Sequence, residues 1–219
     1  MLPFTADVLF SSFAQYNNAL WPAQILAFAL ALAAVLLTLR PVRGGDRAIA
    51  ALLGAAWAWV GVRYHLMHVA TLDFAAPIYG AFFVLEALLL AWMGVVRGRL
   101  AFRFRPNLPG WAGLTLALAA LIAWPLADGL GHGWHSVRLV GLAPGATAVF
   151  TLGLLLLTDR RTPFHLTIIP LLWTLIAGAT AWILAIPQDL ALPVAGLGAF
   201  ALILWKNRRQ PGRPARASY

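Results

Sequence analysis

The basic residues of this chain alternate along its length. Fourteen of the sixteen Lys and Arg residues fall in every second gap between seven apolar stretches, and no other feature restricts the fold as much. One basic gap holds Arg40, Arg43 and Arg47, the next Arg97, Arg99, Arg103 and Arg105, and a third Arg160 and Arg161. The carboxyl-terminal tail holds Lys206, Arg208, Arg209, Arg213 and Arg216. The intervening gaps carry Asp73, Asp128 and Asp189, with only Arg63 and Arg138 near their edges. Basic residues beside membrane spans are retained on the cytoplasmic side. The pattern therefore predicts an all-α integral membrane protein with seven transmembrane helices, amino terminus outside and carboxyl terminus inside.

Composition supports the same class. The chain is 62% hydrophobic and 11% charged, with a mean hydropathy of +0.81, whereas roughly a quarter of a soluble domain is charged. Its net charge of +9 does not call for nucleic acid, because the charges sit at span ends instead of forming one footprint. They suit topology and attraction to anionic lipid of the bilayer. Cysteine is absent, which excludes disulfides, thiolate metal sites and cysteine nucleophiles. Residues 1–18 lack a basic leader and contain Asp7, Gln15, Asn17 and Asn18, so no signal peptide is expected.

A helix needs about 20 mostly apolar residues to cross the hydrocarbon, and lipid leaves helix as the available form. The expected spans are 19–39, 48–69, 77–96, 111–130, 138–158, 164–185 and 189–205. Short connections follow, several marked by Pro or Gly, and Trp21, Trp92, Trp111, Trp134 and Trp205 fall near expected interfaces. Residues 1–18 mix Phe4, Leu9, Phe10, Phe13 and Tyr16 with polar residues, which predicts a short amphipathic helix on the outer membrane surface. Residues 206–219 read as a basic cytoplasmic tail.

An offset of 116 residues overlays Asp73-Phe-Ala-Ala-Pro77-Ile-Tyr-Gly80 on Asp189-Leu-Ala-Leu-Pro193-Val-Ala-Gly196, and Trp57 on Trp173. Pro22 and Phe28 likewise share a spacing with Pro144 and Phe150. Both blocks enter a span from the same side. The expected arrangement is a 3+1+3 parallel repeat, with repeat A over 19–96, a linker helix over 111–130 and repeat B over 138–205. Parallel three-helix repeats occur in transporters of the sugar-exporter (SWEET, PQ-loop) type, with the substrate site between repeats. Pro187-Gln188 is superficially similar to their PQ pair, an architectural analogy only.

Glu86 is the acidic residue nearest the middle of an expected span. An ionisable group there is costly and by default faces the bundle interior or a wet cavity. A proton-coupled carboxylate is therefore expected, with Arg63 as ionic partner at nearly the same depth and Thr151 and Thr174 within reach. The alternatives are a protonated acid bonded to a neighbouring helix and an Arg63 that snorkels to the headgroups. Four of the five histidines fall on the outer side as His65-x-x-His68 and His132-x-x-His135, near Asp73 and Asp128. Imidazoles with carboxylates suit zinc or copper, and the set resembles intramembrane hydrolases of the alkaline ceramidase type. Those enzymes place a His pair on the last span, which this chain lacks, so no cofactor is the leading expectation. Retinal chemistry needs a lysine inside the seventh span, and Lys206 lies at its end.

Tyr16-Asn17, Trp21-Pro22, the Phe150-Thr-Leu-Gly-Leu-Leu-Leu run, Ile169-Pro-Leu-Leu-Trp173 and Val194-Ala-Gly-Leu197 resemble an uncharacterised family of bacterial polytopic membrane proteins, a domain of unknown function. Where that family's pattern has a Cys-Pro-Thr-Thr-like run, this chain has Ala143-Pro-Gly-Ala-Thr147. The resemblance implies a multi-pass protein of the bacterial cytoplasmic (inner) membrane and no particular activity. The leading expectation is a small-solute or proton-coupled transporter lined by Glu86 and Arg63. The alternatives are an intramembrane metal-dependent enzyme and a non-catalytic accessory subunit.

Overall fold

A computed structural model of the chain describes residues 5–209; Phe4, Arg213 and Arg216 lie outside them. Eight helices account for most of the described residues: α1 Ala6–Leu20, α2 Ala23–Leu39, α3 Gly45–Val69, α4 Ala76–Val96, α5 Leu108–His132, α6 Pro144–Leu156, α7 His165–Leu184 and α8 Pro187–Arg209, the last opening with a 3-10 turn. Among the described residues the only β pairing is an isolated bridge between Phe102 and Thr158.

Local chemistry sets the boundaries. Thr5 caps α1 by accepting from the Val8 amide, and Asn107 caps α5 by accepting from the Gly110 amide. The chain turns through 93° between α1 and α2 at Trp21–Pro22, where proline removes an amide donor that a continuous helix would need. The expected span over 138–158 is helical only over 144–156. Proline is well placed as a first helical residue and poorly placed inside a helix, so α6 starts at Pro144. Gly141, at φ +82°, turns the chain just before it. The lead-in through residues 137–143 is therefore not helical, and it carries Arg138.

Five helices (α3, α4, α5, α7 and α8) are long and apolar enough to cross a membrane, and the bent α1–α2 pair would be a sixth. Thirteen-residue α6 rises only about 20 Å, short of the ~30 Å hydrocarbon thickness. Twelve of its residues are buried, which explains why it is apolar all round: the other helices wrap it. The closest approach is to α5. A Cβ on Gly153 would lie 2.8 Å from the Gly113 carbonyl oxygen, so two glycines let the backbones meet.

The connections gather into two ends. At the basic end, Arg103 N donates to Leu157 O (2.8 Å), Phe104 N to Thr38 O (2.9 Å) and Phe102 N to Asp46 Oδ1 (2.7 Å). Arg105 there forms a bidentate pair with Asp159. Its hydrogen bond and charge hold the Asp159 carboxyl below the usual carboxylate range, so this contact persists above that range and weakens as pH falls below it. At the acidic end, which carries Asp73, Asp128 and Asp189, α1 lies against residues 134–137 and the end of α3. Asn17 Nδ2 donates to the carbonyls of His135 (2.9 Å) and Val137 (2.8 Å), and Ser12 Oγ meets His68 Nε2 at 3.0 Å.

Lys206, buried near the end of α8, closes the carboxyl end of α6. Its Nζ donates to the carbonyls of Leu155, Leu156 and Thr158, each at 3.1 Å, and to Thr158 Oγ1 at 2.9 Å. Helix carboxyl ends leave carbonyls without intrahelical partners, and a cationic side chain suits them. Lys206→Met should cost on the order of 3 kcal/mol and lower the unfolding midpoint in detergent by roughly 5–10 °C. Arg208→Ala, at an exposed neighbour, should leave it nearly unchanged. Equal midpoints for the two variants would contradict this capping role.

Candidate functional site

The most heavily constrained polar group in the protein is Arg138, on the lead-in to α6. Its guanidinium is held by Asp128 from α5 and Asp189 from the opening turn of α8. Nε and Nη2 donate to Asp128 at 2.9 and 2.6 Å; Nη2 donates to Asp189 Oδ1 at 2.9 Å, and Nη1 donates to Asp189 Oδ2. The Arg138 amide also donates to Asp128 Oδ2 (3.1 Å). The side chains are 11% (Arg138), 0% (Asp128) and 7% (Asp189) exposed. From above, the guanidinium carbon sits 5.0 Å from the Phe10 ring and 5.9 Å from the Phe13 ring, both on α1. Bidentate guanidinium–carboxylate pairs are strong and directional, so one residue ties α5, α6, α8 and α1 together.

Beside this cluster lies a cavity of about 130 Å³, some ten times the ~10–15 Å³ that one water needs. Its walls come from α1 (Phe13), α3 (Tyr64 and His65), α4 (Tyr79), α5 (Trp124) and α7 (Trp173 and Thr180). Arg138, Asp189, Asp73 and the first residues of α6, Pro144 to Ala146, complete it. The rings pack edge to face: His65 lies 5.0 Å from Trp173 and 5.8 Å from Tyr79, and Tyr79 lies 5.3 Å from Trp173. Both ring nitrogens of His65 and the Nε1 atoms of Trp124 and Trp173 are enclosed and have no hydrogen-bond partner. His65 itself is only 2% exposed. Buried polar atoms are nearly always paired, and three of the residues that carry unpaired ones, His65, Trp124 and Trp173, stand in the wall of this cavity.

Helix α3 explains how Tyr64 and His65 come to face it. Residues 60–69 are wound more loosely, with i→i+5 hydrogen bonding, as are 91–96 in α4 and 119–123 in α5. Such wide turns are frequent at functional sites. With more residues per turn, a step of three falls further short of a full turn. His65 and His68 therefore do not share a face: His65 enters the cavity wall, while His68 bonds Ser12 on α1.

The sequence-identified residues are distributed as follows. Glu86 is 0% exposed, and neither of its oxygens has a hydrogen-bond partner. Arg63 Nη1 lies 3.2 Å from Met67 Sδ, and among the described residues it forms no ion pair with Glu86. Thr151 Oγ1 accepts from Trp57 Nε1 (2.8 Å) and donates to Thr147 O (2.8 Å). Thr174 Oγ1 donates to Leu171 O (2.7 Å). His132 stacks on Phe10 at 3.5 Å and is exposed, as is His135. Asp73 accepts from the Ala75 amide (2.9 Å) in the turn before α4. Among the described residues no three His, Asp or Glu side chains gather at metal-binding distance.

The cluster around Arg138, and the aromatic lining, escaped the sequence reading. One signal did point there: Arg138 and Arg63 are the two basic residues that fall outside the basic gaps.

Comparison with known proteins adds one result. The model of a family of unknown function, DUF6064, matches residues 6–213. No curated protein and no solved structure matches.

Removing one partner of a buried ion cluster strands the others. Arg138→Leu should cost about 3–5 kcal/mol, and adding Asp128→Asn and Asp189→Asn should recover most of that loss. Thermal unfolding in detergent checks both; a single variant as stable as the parent protein would contradict the role given to this cluster.

Proposed function

This chain belongs to the DUF6064 family, and we propose that it is a carrier of a small solute in a bacterial cytoplasmic membrane, with the cavity beneath α1 as its solute site. The observation that carries the reading is a cavity whose walls combine the charged side chains of Arg138, Asp189 and Asp73 with three residues, His65, Trp124 and Trp173, whose polar ring atoms lack partners. A packed core has no use for them, whereas a solute supplies their partners.

The membrane setting rests on surface chemistry. Large apolar side chains face outward along the helices, among them Ile25, Leu26, Ile78, Leu88, Leu172 and Trp182. Exposed apolar area on that scale is unsuited to water. Helices α2 to α8 serve as seven crossings, with short α6 shielded from lipid by its neighbours and α1 lying across one face. The arginine-rich end faces the cytoplasm by the positive-inside rule, which puts the amino terminus and the cavity on the opposite side. Two copies of a three-helix unit flank α5 in this reading, and Trp57 and Trp173 both pack on Phe83, at 4.4 and 5.1 Å.

Glu86 belongs to the transport path in this scheme. It follows Phe83 by three residues on α4, one helical turn nearer the basic end. The Phe83 ring touches His65 (4.8 Å), which lines the cavity. A proton on Glu86 makes it neutral and tolerable in that dry position, and its release couples solute movement to protons. The metal-enzyme alternative requires three ligands at one point; His65 in the cavity wall and His68 bonded to Ser12 of α1 do not favour it.

Proteoliposomes loaded with a pH-sensitive dye test the proposal with a panel of small amino acids, carboxylates, amines and sugars. One class should enter and change the internal pH, and Glu86→Gln should reduce the proton signal at least tenfold while the protein stays folded. Absence of uptake for every class by folded, correctly inserted protein would overturn the carrier reading.

A further inference from the structure

We infer that the cavity recognises a small zwitterion, an ammonium-and-carboxylate solute of the size of a small amino acid. This rests on the cavity being the solute site and goes further by fixing the chemistry of its occupant.

The unpartnered atoms define one half of that chemistry. Indole Nε1–H is a donor only, and a neutral imidazole offers one donor and one acceptor. Trp124, Trp173 and His65, all in the wall of this space, thus carry three donors and one acceptor without partners. The amino end of α6 adds to them. Pro144, Gly145 and Ala146 line the cavity, and the first amides of a helix have no intrahelical partner and carry the positive end of its dipole. A carboxylate matches this side, as anions do at helix amino termini.

The charged groups define the other half. Asp128 and Asp189 give two carboxylates to the single guanidinium of Arg138, and Asp73 also lines the cavity. With their formal charges the cluster and Asp73 sum to minus two, because three carboxylates oppose one guanidinium. A simple anion entering this space meets more negative than positive charge. Tyr64, Tyr79, Trp173 and Phe13 add aromatic rings to the wall, and aromatic rings attract an ammonium group. A simple amine would satisfy the carboxylates and rings but leave the indole and imidazole donors unpaired and face a helix amino end. One molecule with both groups answers both sets, and a cavity of about 130 Å³ limits it to a small one.

The test is calorimetric titration of purified full-length protein with glycine, L-alanine, L-proline and glycine betaine. Propionate and ethylamine serve as L-alanine lacking one charged group. At least one zwitterion should bind ten or more times more tightly than either single-charge probe. Trp173→Phe and His65→Phe, checked for folding by circular dichroism, should each weaken that binding at least tenfold. Propionate or ethylamine binding as tightly as the best zwitterion would overturn the inference; if that binding were lost in Trp173→Phe, the cavity would still be the solute site. Folded protein that binds no zwitterion also overturns it. Zwitterion binding unaffected by either variant would place the ligand elsewhere, and both readings of the cavity would fall.

Discussion

The rest of the structure depends on a guanidinium withdrawn from water and clasped by two carboxylates. Isolated charges of this kind do not survive burial; they persist only when paired with good geometry and further hydrogen bonds. Arg138 meets that condition through bonds to Asp128 and Asp189, which come from helices far apart in sequence. The requirement is strict in direction, because a planar guanidinium fork donates along fixed lines. The end of α5, the lead-in to α6 and the opening turn of α8 must therefore occupy fixed positions relative to one another. Two phenylalanines of α1 then pack against the guanidinium.

The central helix follows from this arrangement. Because residues 137–143 are used to deliver Arg138, α6 begins late and is short. Its amino end opens on the cavity, and its carboxyl end is closed by Lys206. An apolar helix buried on every side by its neighbours can sit inside a bundle without touching lipid. The cavity is what remains between that short helix, the loosened turn of α3 and the ring of α7, under the cover of α1.

Much of the fold was legible in the residues. Alternating arginines and apolar runs predicted the helices and the grouping of their connections, and Pro22, Pro77 and Pro109 lie beside real helix starts. What the pattern concealed was the interruption at Pro144: the apolar run continues through 137–143, so hydropathy alone sees one span where the chain makes a loop and a short helix. The site was harder to read. His65 and His68 sit three apart, and a regular helix would place them on one face; the i→i+5 winding of residues 60–69 separates them. Glu86 stood out by charge, yet its side chain has no partner, while Arg138 and Asp189 looked like span-edge residues. Pairings across 51 positions are not written in local spacing. The 116-residue offset aligned Asp73 with Asp189, but one caps a turn and the other binds a guanidinium.

The absence of cysteine makes the direct measurement simple. A single cysteine placed at Thr180, in the cavity wall, and another at Ala148, inside α6, can be probed with a membrane-impermeant maleimide in oriented vesicles. A water-filled space opening at the acidic end predicts labelling of the Thr180→Cys protein from that side only, and none for Ala148→Cys. Labelling of Thr180→Cys from neither side, or equally from both, would contradict the account.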